Sequence, residues 1–177
     1  FFPSAVWNKN NDGEDREEMT VDLSPDWLID RFRSLDLDPD MQRGDHDLNP
    51  GMTVLDDLTP AAVLVPLVAH AARVTTLFTQ RTSHLKHHAG QISFPGGHAD
   101  PEDDDAVDTA LREMEEEVGL HRRQIRVIGQ LDPYITRTGF SVIPVVGLIE
   151  PPFDVSPDPN EVEDVFEVPL DFLMNPA

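Results

Sequence analysis

The chain has 177 residues, of which 39% are hydrophobic, so it can bury one core but is too short for two full domains. The lack of cysteine excludes disulfides and thiolate metal sites, and the net charge of −21 argues against general nucleic-acid binding, because a polyanion would be repelled. Since no apolar run could span a bilayer and the first residues lack a signal-peptide pattern, we expect a cytoplasmic protein with no membrane partner.

The first 60 residues are predicted to form an N-terminal extension. Ser24 and Pro25 are typical of the start of a helix, and we predict a short helix from Ser24 to Phe32. Residues 36–51 form an acidic, turn-rich connection. We therefore expect an extension over residues 1–60 and a main domain over residues 61–177.

The main domain is predicted to alternate strands with one central helix. Two apolar segments rich in β-branched residues predict a pair of strands, and Pro95, Gly96 and Gly97 predict a turn. The predicted strands are 62–69, 74–79, 91–94, 125–131, 142–149 and 162–168; the predicted helices are 103–118 and one that begins within 169–173. This order favours the α/β class, with an α/β/α sandwich around a mixed sheet.

The central helix has one apolar side and a clear end. Leu111, Met114 and Val118 follow the helical repeat and predict the buried stripe. Gly119 is expected to end the helix in the left-handed conformation. The three aspartates at 103–105 suit the N-terminus of the helix, because acidic side chains there complement its dipole.

Three glutamates project from another side of this helix. At about 100° per residue, Glu113, Glu116 and Glu117 fall within an arc of about 100°. Crowded carboxylates repel one another unless a cation lies among them, and magnesium prefers such oxygen ligands. A solvated glutamate face is the alternative. Arg112, spaced to pair with Glu116, and the glycines before and after the helix favour a site for divalent metal and diphosphate.

The segment from Arg112 to Leu120 resembles the second half of the Nudix box, Arg-Glu-U-x-Glu-Glu-x-Gly-U, where U is aliphatic. In the box, a glycine, five residues, a glutamate and seven residues precede the arginine. Counting back from Arg112 puts Asp104 at the glutamate position, and six residues instead of five then separate it from Gly97. The run from Leu85 to Gly97 is similar to the signature of the coenzyme A pyrophosphatase branch of Nudix hydrolases.

The resemblance implies roles for individual residues, with Mg²⁺ or Mn²⁺ as the cofactor. Glu116 and Arg112 would be catalytic, with Glu116 the first choice for the general base. The metal would be held by Glu113, Glu116, Glu117 and Gly97. Glu161 and Glu163 are candidates for an additional ligand or base, with an ordinary surface role as the alternative.

Residues 73–99 contain no Asp or Glu, although the whole chain has 34. Part of this stretch is a core strand, but its basic cluster suggests where an anionic ligand docks. The resemblance makes this ligand the phosphates of the substrate. The expected contacts are Arg81, Lys86, His88 and Gly96, with Arg137 from a later loop. Lys86 stands where the branch usually has arginine, which keeps the charge but loses the bidentate fork.

The resemblance implies cleavage of the diphosphate bond of coenzyme A or acyl-CoA, giving 3′,5′-ADP and (acyl-)4′-phosphopantetheine. ADP-ribose or another nucleoside diphosphate is the alternative substrate. A catalytically silent nucleotide-binding module is the alternative from another class. The expected partner is a small nucleoside diphosphate, and a homodimer is a further option.

Overall fold

The computed structural model describes residues 22–38, 43–49, 51–53, 55, 57–84 and 88–175. Its elements are α1 (Pro25–Arg33), β1 (Arg43–Gly44), α2 (Asp45–Leu48), β2 (Thr59–Ala69), β3 (Val74–Arg81), β4 (Ile92–Ser93), β5 (Gly96–His98), α3 (Ala106–Val118), β6 (Ile125–Gln130), β7 (Tyr134–Ile135), β8 (Phe140–Ile149), β9 (Val162–Pro169) and α4 (Leu170–Met174). No described helix is long and apolar enough to cross a membrane.

β2 is the strand around which the sheet is organised. It runs parallel to β8 along one edge, while its other edge pairs antiparallel first with β5 and then with β3. Within the described residues the strands follow the order β1-β7-β8-β2-β3-β4, with β6 on β8 and β9 on β3. Because β2 has 11 residues, its first half carries the glycine strand β5 and its second half carries β3.

Helices cover both faces of this mixed sheet, which confirms the predicted sandwich. Met114 and Val118 of α3 are fully buried in one core, with β2 residues such as Leu64. Leu28 and Ile29 of α1 are buried in the other core, with Leu67, Val74, Val146 and Leu148. The alternation of side chains along β2 sends residues to each core in turn. The predicted boundary between extension and main domain stays a prediction, but α1 is part of the second core.

Both predicted terminal features of α1 are present. Ser24 precedes the helix and its side chain accepts a hydrogen bond from the Trp27 backbone N–H at 3.3 Å, and Pro25 lies in the first turn. This pairing satisfies a backbone donor that the helix itself leaves free. The helix predicted from the sequence is therefore confirmed, with its end one residue later at Arg33.

Helix α3 begins later than predicted and ends where predicted. Asp105 caps it by accepting a hydrogen bond from the Asp108 backbone N–H at 2.9 Å, so the helix begins at Ala106. Gly119 ends it at φ 75°, in the left-handed region. A Cβ atom at Gly119 would also lie 2.6 Å from the Ser156 carbonyl oxygen. Conformation and space therefore both require glycine at this position.

The C-terminus of α3 is joined to the segment that leads into β9. The Ser156 backbone N–H donates to the Val118 carbonyl at 2.8 Å, and the Asp158 N–H donates to the Glu117 carbonyl at 3.0 Å. These two bonds satisfy carbonyls that the last turn of a helix leaves without partners. The position of this segment is thus set by the helix that contains the glutamates.

Candidate active site

Arg112 is the centre of a network of charge-assisted hydrogen bonds. Its Nε and Nη2 donate to the two carboxylate oxygens of Asp103, each at 3.0 Å, in the bidentate arrangement. Nη1 donates to Glu113 at 2.9 Å and to Glu116 at 3.0 Å. Nη2 also donates to the carbonyl oxygen of His98. Arg112 therefore fixes two of the three glutamates relative to the chain just after the glycines, and its predicted pair with Glu116 is confirmed.

The acidic partner of Arg112 in the loop before α3 is Asp103, whereas counting back along the box from Arg112 gives Asp104. The Asp103 side chain is 5% exposed and also accepts hydrogen bonds from the Thr109 hydroxyl and the Asp100 backbone N–H. The hydrogen bonds from Arg112 hold the pKa of Asp103 well below its ordinary value. Asp104 is exposed. The offset from the box therefore lies between aspartate and arginine. Leaving five residues after Gly97, as the box does, would have identified Asp103.

Glu113 lies directly against the glycine strand β5. A side-chain atom at Gly97 would lie 2.6 Å from Glu113 Cδ, so the absence of a side chain allows the backbone to approach the carboxylate. The Glu113 side chain is 15% exposed. Burial raises the pKa of Glu113, and the hydrogen bond and charge of Arg112 oppose that rise.

Glu117 is the most deeply buried of the three glutamates. Its side chain is 4% exposed, and its Oε2 has no hydrogen-bond partner. Arg81 Nη1, at the end of β3, lies 3.6 Å from Oε1. Burial, and then the negative charge of Glu113, raise the pKa of Glu117 to about 7, while Arg81 and the backbone N–H of Gly96 lower it. A buried carboxylate oxygen without a partner is costly, and it is a feature that a bound cation would satisfy.

Glu116 faces outwards, with a side chain that is 60% exposed and turned to Arg112. Among the described residues, no three histidine or acidic side chains are already gathered into a metal-binding cluster. The donor set still fits a hard cation. Glu113 and Glu117 are poorly solvated carboxylates on the same side of α3, Glu117 Oε2 has no hydrogen-bond partner, and Glu113 lies against the backbone of Gly97. The assignment of Glu113, Glu116, Glu117 and Gly97 as ligands stays a prediction.

Glu161 is a fourth carboxylate near this group. Its negative charge acts to raise the pKa of both Glu113 and Glu117. Hydrogen bonds hold its backbone, because Glu161 N–H donates to the Asp158 carbonyl and its own carbonyl accepts from Thr82 N–H. Glu163, the other candidate, is exposed on β9.

The predicted substrate contacts are only partly gathered around the glutamates. Arg81 and Gly96 lie at Glu117. His88 is in the turn after β3, where its Nδ1 lies 2.9 Å from Gln91 Oε1. Lys86 lies outside the described residues.

Arg137 belongs to another part of the surface. Its backbone N–H donates to Asp45 of α2 at 2.7 Å, and its side chain is exposed. Its loop is followed by Phe140, which packs on the His98 ring with centroids 5.0 Å apart. The structure thus connects Arg137 to α2, whereas Arg81 lies 3.6 Å from Glu117.

Two concave surfaces of the described residues do not include the three glutamates in their lining. One, of about 300 Å³, is next to Asp103 and the start of α3, between Pro60, Ala99 and Ile143. The other, of about 350 Å³, lies between the start of α1 and the β2–β3 turn, with His70 and Arg73 in its lining. Glu113, Glu116 and Glu117 are therefore not part of either cavity lining.

Comparison with known families gives a match to the NUDIX domain over residues 58–177, more than half of the chain. The chain belongs to the NUDIX domain family. The match begins one residue before β2 and includes the glycine strand, α3 and β9. The elements that hold Arg112 and the glutamates are thus all within the NUDIX domain.

Two curated NUDIX relatives are similar to this chain at more than 40% identity. The mouse peroxisomal coenzyme A diphosphatase NUDT7 is 45% identical over 115 residues, which cover 65% of this chain and 49% of the relative. The uncharacterized Nudix hydrolase NudL of Photorhabdus laumondii is 44% identical over 121 residues, covering 68% of this chain and 64% of the relative. The chain therefore spans about half to just under two thirds of the length of these relatives.

Solved NUDIX structures share the fold at lower identity. A Caenorhabditis elegans Ap4A hydrolase binary complex gives a TM-score of 0.53 at 24% identity, covering 64% of this chain and 83% of that one. A NUDIX hydrolase from Alicyclobacillus acidocaldarius gives 0.52 at 19% identity, covering 68% and 83%. These likenesses agree with the mixed sheet and flanking helices described above.

Proposed function

We propose that the chain is a metal-dependent pyrophosphohydrolase that cleaves the diphosphate bond of coenzyme A or acyl-CoA. The observation that carries the chemistry is the buried Glu117 carboxylate: its Oε2 has no hydrogen-bond partner, and the charge of Glu113 and the backbone N–H of Gly96 both act on the carboxylate. The substrate class is supported by 45% identity to a relative named as a coenzyme A diphosphatase. The products would be 3′,5′-ADP and (acyl-)4′-phosphopantetheine.

The reaction adds water to one phosphorus and breaks the bond from that phosphorus to the bridging oxygen, which leaves with the other phosphate. Bound Mg²⁺ or Mn²⁺ supplies charge neutralisation of the diphosphate and activation of the attacking water. Glu113 and Glu117 would hold the cation, with Glu116 and the Gly97 backbone as further ligands. Arg112 keeps Glu113 and Glu116 in place.

Two carboxylates are candidates for the general base that accepts a proton from the attacking water. Glu116 is the first choice for the general base because of its position in the Nudix box. Glu161 is the second choice, because its charge acts on Glu113 and Glu117 and its backbone is held by Asp158 and Thr82. Either would act as the general base or as an additional ligand.

Arg81, Lys86, His88, Gly96 and Arg137 are proposed to contact the phosphates. Arg81 has the strongest support, since its guanidinium lies 3.6 Å from the Glu117 carboxylate. A cytoplasmic location and a homodimer also stay predictions. Cell fractionation would test the first, and light scattering of the purified protein would test the second.

The test is a product-mass assay with coenzyme A, acetyl-CoA, ADP-ribose and a dinucleoside polyphosphate, each with Mg²⁺ or Mn²⁺. We expect 3′,5′-ADP from both coenzyme A substrates and no turnover in EDTA. Much faster turnover of ADP-ribose would refute the substrate class, and no hydrolysis of any substrate would favour the silent binding module.

The Glu116→Gln variant separates an enzyme from a binding module. We expect it to keep most of its affinity for coenzyme A while losing turnover. Glu150→Gln is the matched control, since Glu150 is an exposed glutamate just after β8. It should keep both affinity and turnover.

A further inference from the structure

Arg81 and Glu117 form an ion pair that is not completed by hydrogen bonds. Their closest atoms are 3.6 Å apart, beyond the usual hydrogen-bond distance. Glu117 Oε2 and Arg81 Nε are both buried and both lack a hydrogen-bond partner. The carboxylate and the guanidinium therefore attract each other, yet each keeps one buried polar atom without a hydrogen bond.

In the part of the chain that the structure describes, Glu117 has two negative neighbours and one positive neighbour. Glu113 and Glu161 both act on Glu117 as like charges. Arg112, the other arginine near the glutamates, is occupied by Asp103, Glu113 and Glu116. Among the described residues, Arg81 is the cation that compensates the buried charge of Glu117.

We propose that Arg81 is a positioning residue that stands in for the divalent cation at Glu117. It holds the carboxylate in the site when no cation is bound, and its compensating role ends when a cation binds. This inference rests on the metal site of the proposed function. Besides the expected contact with phosphate, Arg81 would then have a role before the substrate binds.

The sign of the expected effects follows from the charges. Without Arg81, the cation-free protein would bury Glu117 beside like charges with no compensation, so it would be less stable. A divalent cation would then gain more by binding, because it would relieve that repulsion. It would also no longer meet the positive charge of Arg81. Both effects predict tighter cation binding when Arg81 is replaced by an uncharged side chain.

The test compares Arg81→Met with the unmodified chain in the absence of substrate. Mn²⁺ affinity is measured by calorimetry at pH 8, and thermal unfolding is followed in EDTA and in saturating Mg²⁺. We expect Arg81→Met to bind Mn²⁺ about three- to tenfold more tightly, as for the loss of one partly screened charge. We expect it to unfold about 3 °C or more below the unmodified chain in EDTA, and that gap to close with Mg²⁺.

Two further variants act as controls. Arg81→Lys keeps the charge and should leave Mn²⁺ affinity close to that of the unmodified chain. Arg126→Met removes an exposed arginine from β6, which is separated from β3 by β8 and β2, and should change neither measurement. In a Glu117→Gln background, Arg81→Met should no longer lower the unfolding temperature in EDTA.

Three results would overturn the stand-in role. They are equal or weaker Mn²⁺ binding by Arg81→Met, a stability loss of the same size with and without Mg²⁺, and failure of Arg81→Met to fold even with Mg²⁺. Lack of Mn²⁺ binding by the unmodified chain is a separate outcome. It would refute the metal dependence of the proposed function, and with it any cation for Arg81 to replace.

Discussion

Replacement of Asp103 by asparagine should destabilise the protein far more than the same replacement at Asp104. The Asp103 carboxylate accepts two hydrogen bonds from Arg112 and one each from Thr109 and Asp100. Asparagine would turn an amide N–H₂ group towards donors and leave Arg112 without its bidentate partner. Breaking a buried charge pair costs about 3–5 kcal/mol. Because the Arg112 side chain is 20% exposed, we expect about 3 kcal/mol at pH 7.

Asp104→Asn is the matched control, because Asp104 is exposed and its backbone N–H, which faces Asp108, is kept in the variant. We expect a change within about 0.5 kcal/mol. Urea denaturation followed by circular dichroism measures the free energy of unfolding of each variant. A larger loss for Asp104→Asn than for Asp103→Asn, or no loss for Asp103→Asn, would refute the assignment of Asp103 as the partner of Arg112.

The effect of Asp103 should also depend on pH in a defined direction. Its pKa in the folded protein is held well below the ordinary value of 3.8 by Arg112. The stabilisation is therefore fully present above about pH 4 and is lost as the pH falls towards the folded-state pKa. The difference between the unmodified chain and Asp103→Asn should be constant from pH 5 to 7 and should shrink below pH 4. A difference that grows on acidification would contradict the proposed origin of the stabilisation.

Two further predictions concern the glutamates. Gly97→Ala should lower kcat for coenzyme A by at least about tenfold, because the added Cβ would lie 2.6 Å from Glu113 Cδ and would displace that carboxylate. Steady-state kinetics measures this effect. An unchanged kcat would show that Glu113 is not needed at its present position. Glu161→Gln should lower kcat by about 100-fold, because the protein would lose a general base or a metal ligand. The kcat of Glu163→Gln should stay within about twofold of that of the unmodified chain. Equal effects of the two substitutions on kcat would remove the reason for preferring Glu161.

The sequence contains enough information to locate the main elements, because periodicity and end signals act locally. Met114, Val118 and Gly119 define the buried side and the end of α3 without any knowledge of the sheet. The strand β5 is different. Gly96 and Gly97 have little intrinsic preference for a strand, and they become one by pairing with Val63 and Ala62 of β2, a contact distant in sequence.

In the candidate site, too, some features follow from local sequence and others from contacts distant in sequence. The helical repeat correctly places three glutamates on one side of α3, yet Glu116 is 60% exposed and Glu117 is 4% exposed. That difference depends on a contact distant in sequence, since Arg81 at the end of β3 lies 3.6 Å from Glu117, whereas Arg112 holds Glu116 at the surface. Likewise, three consecutive aspartates are equivalent by composition, and only the folded loop before α3 turns Asp103, rather than Asp104, towards Arg112.

The link between the end of α3 and the segment before β9 has a consequence for protein engineering. The bonds from Ser156 and Asp158 to the helix carbonyls tie the segment that leads to Glu161 to the end of α3, where Glu117 lies. Insertions or grafted loops there would shift Glu161 relative to Glu117, and under the proposed function they should lower turnover. Libraries aimed at new diphosphate substrates should therefore keep this segment fixed and vary the exposed turns around His88 and Arg137 instead.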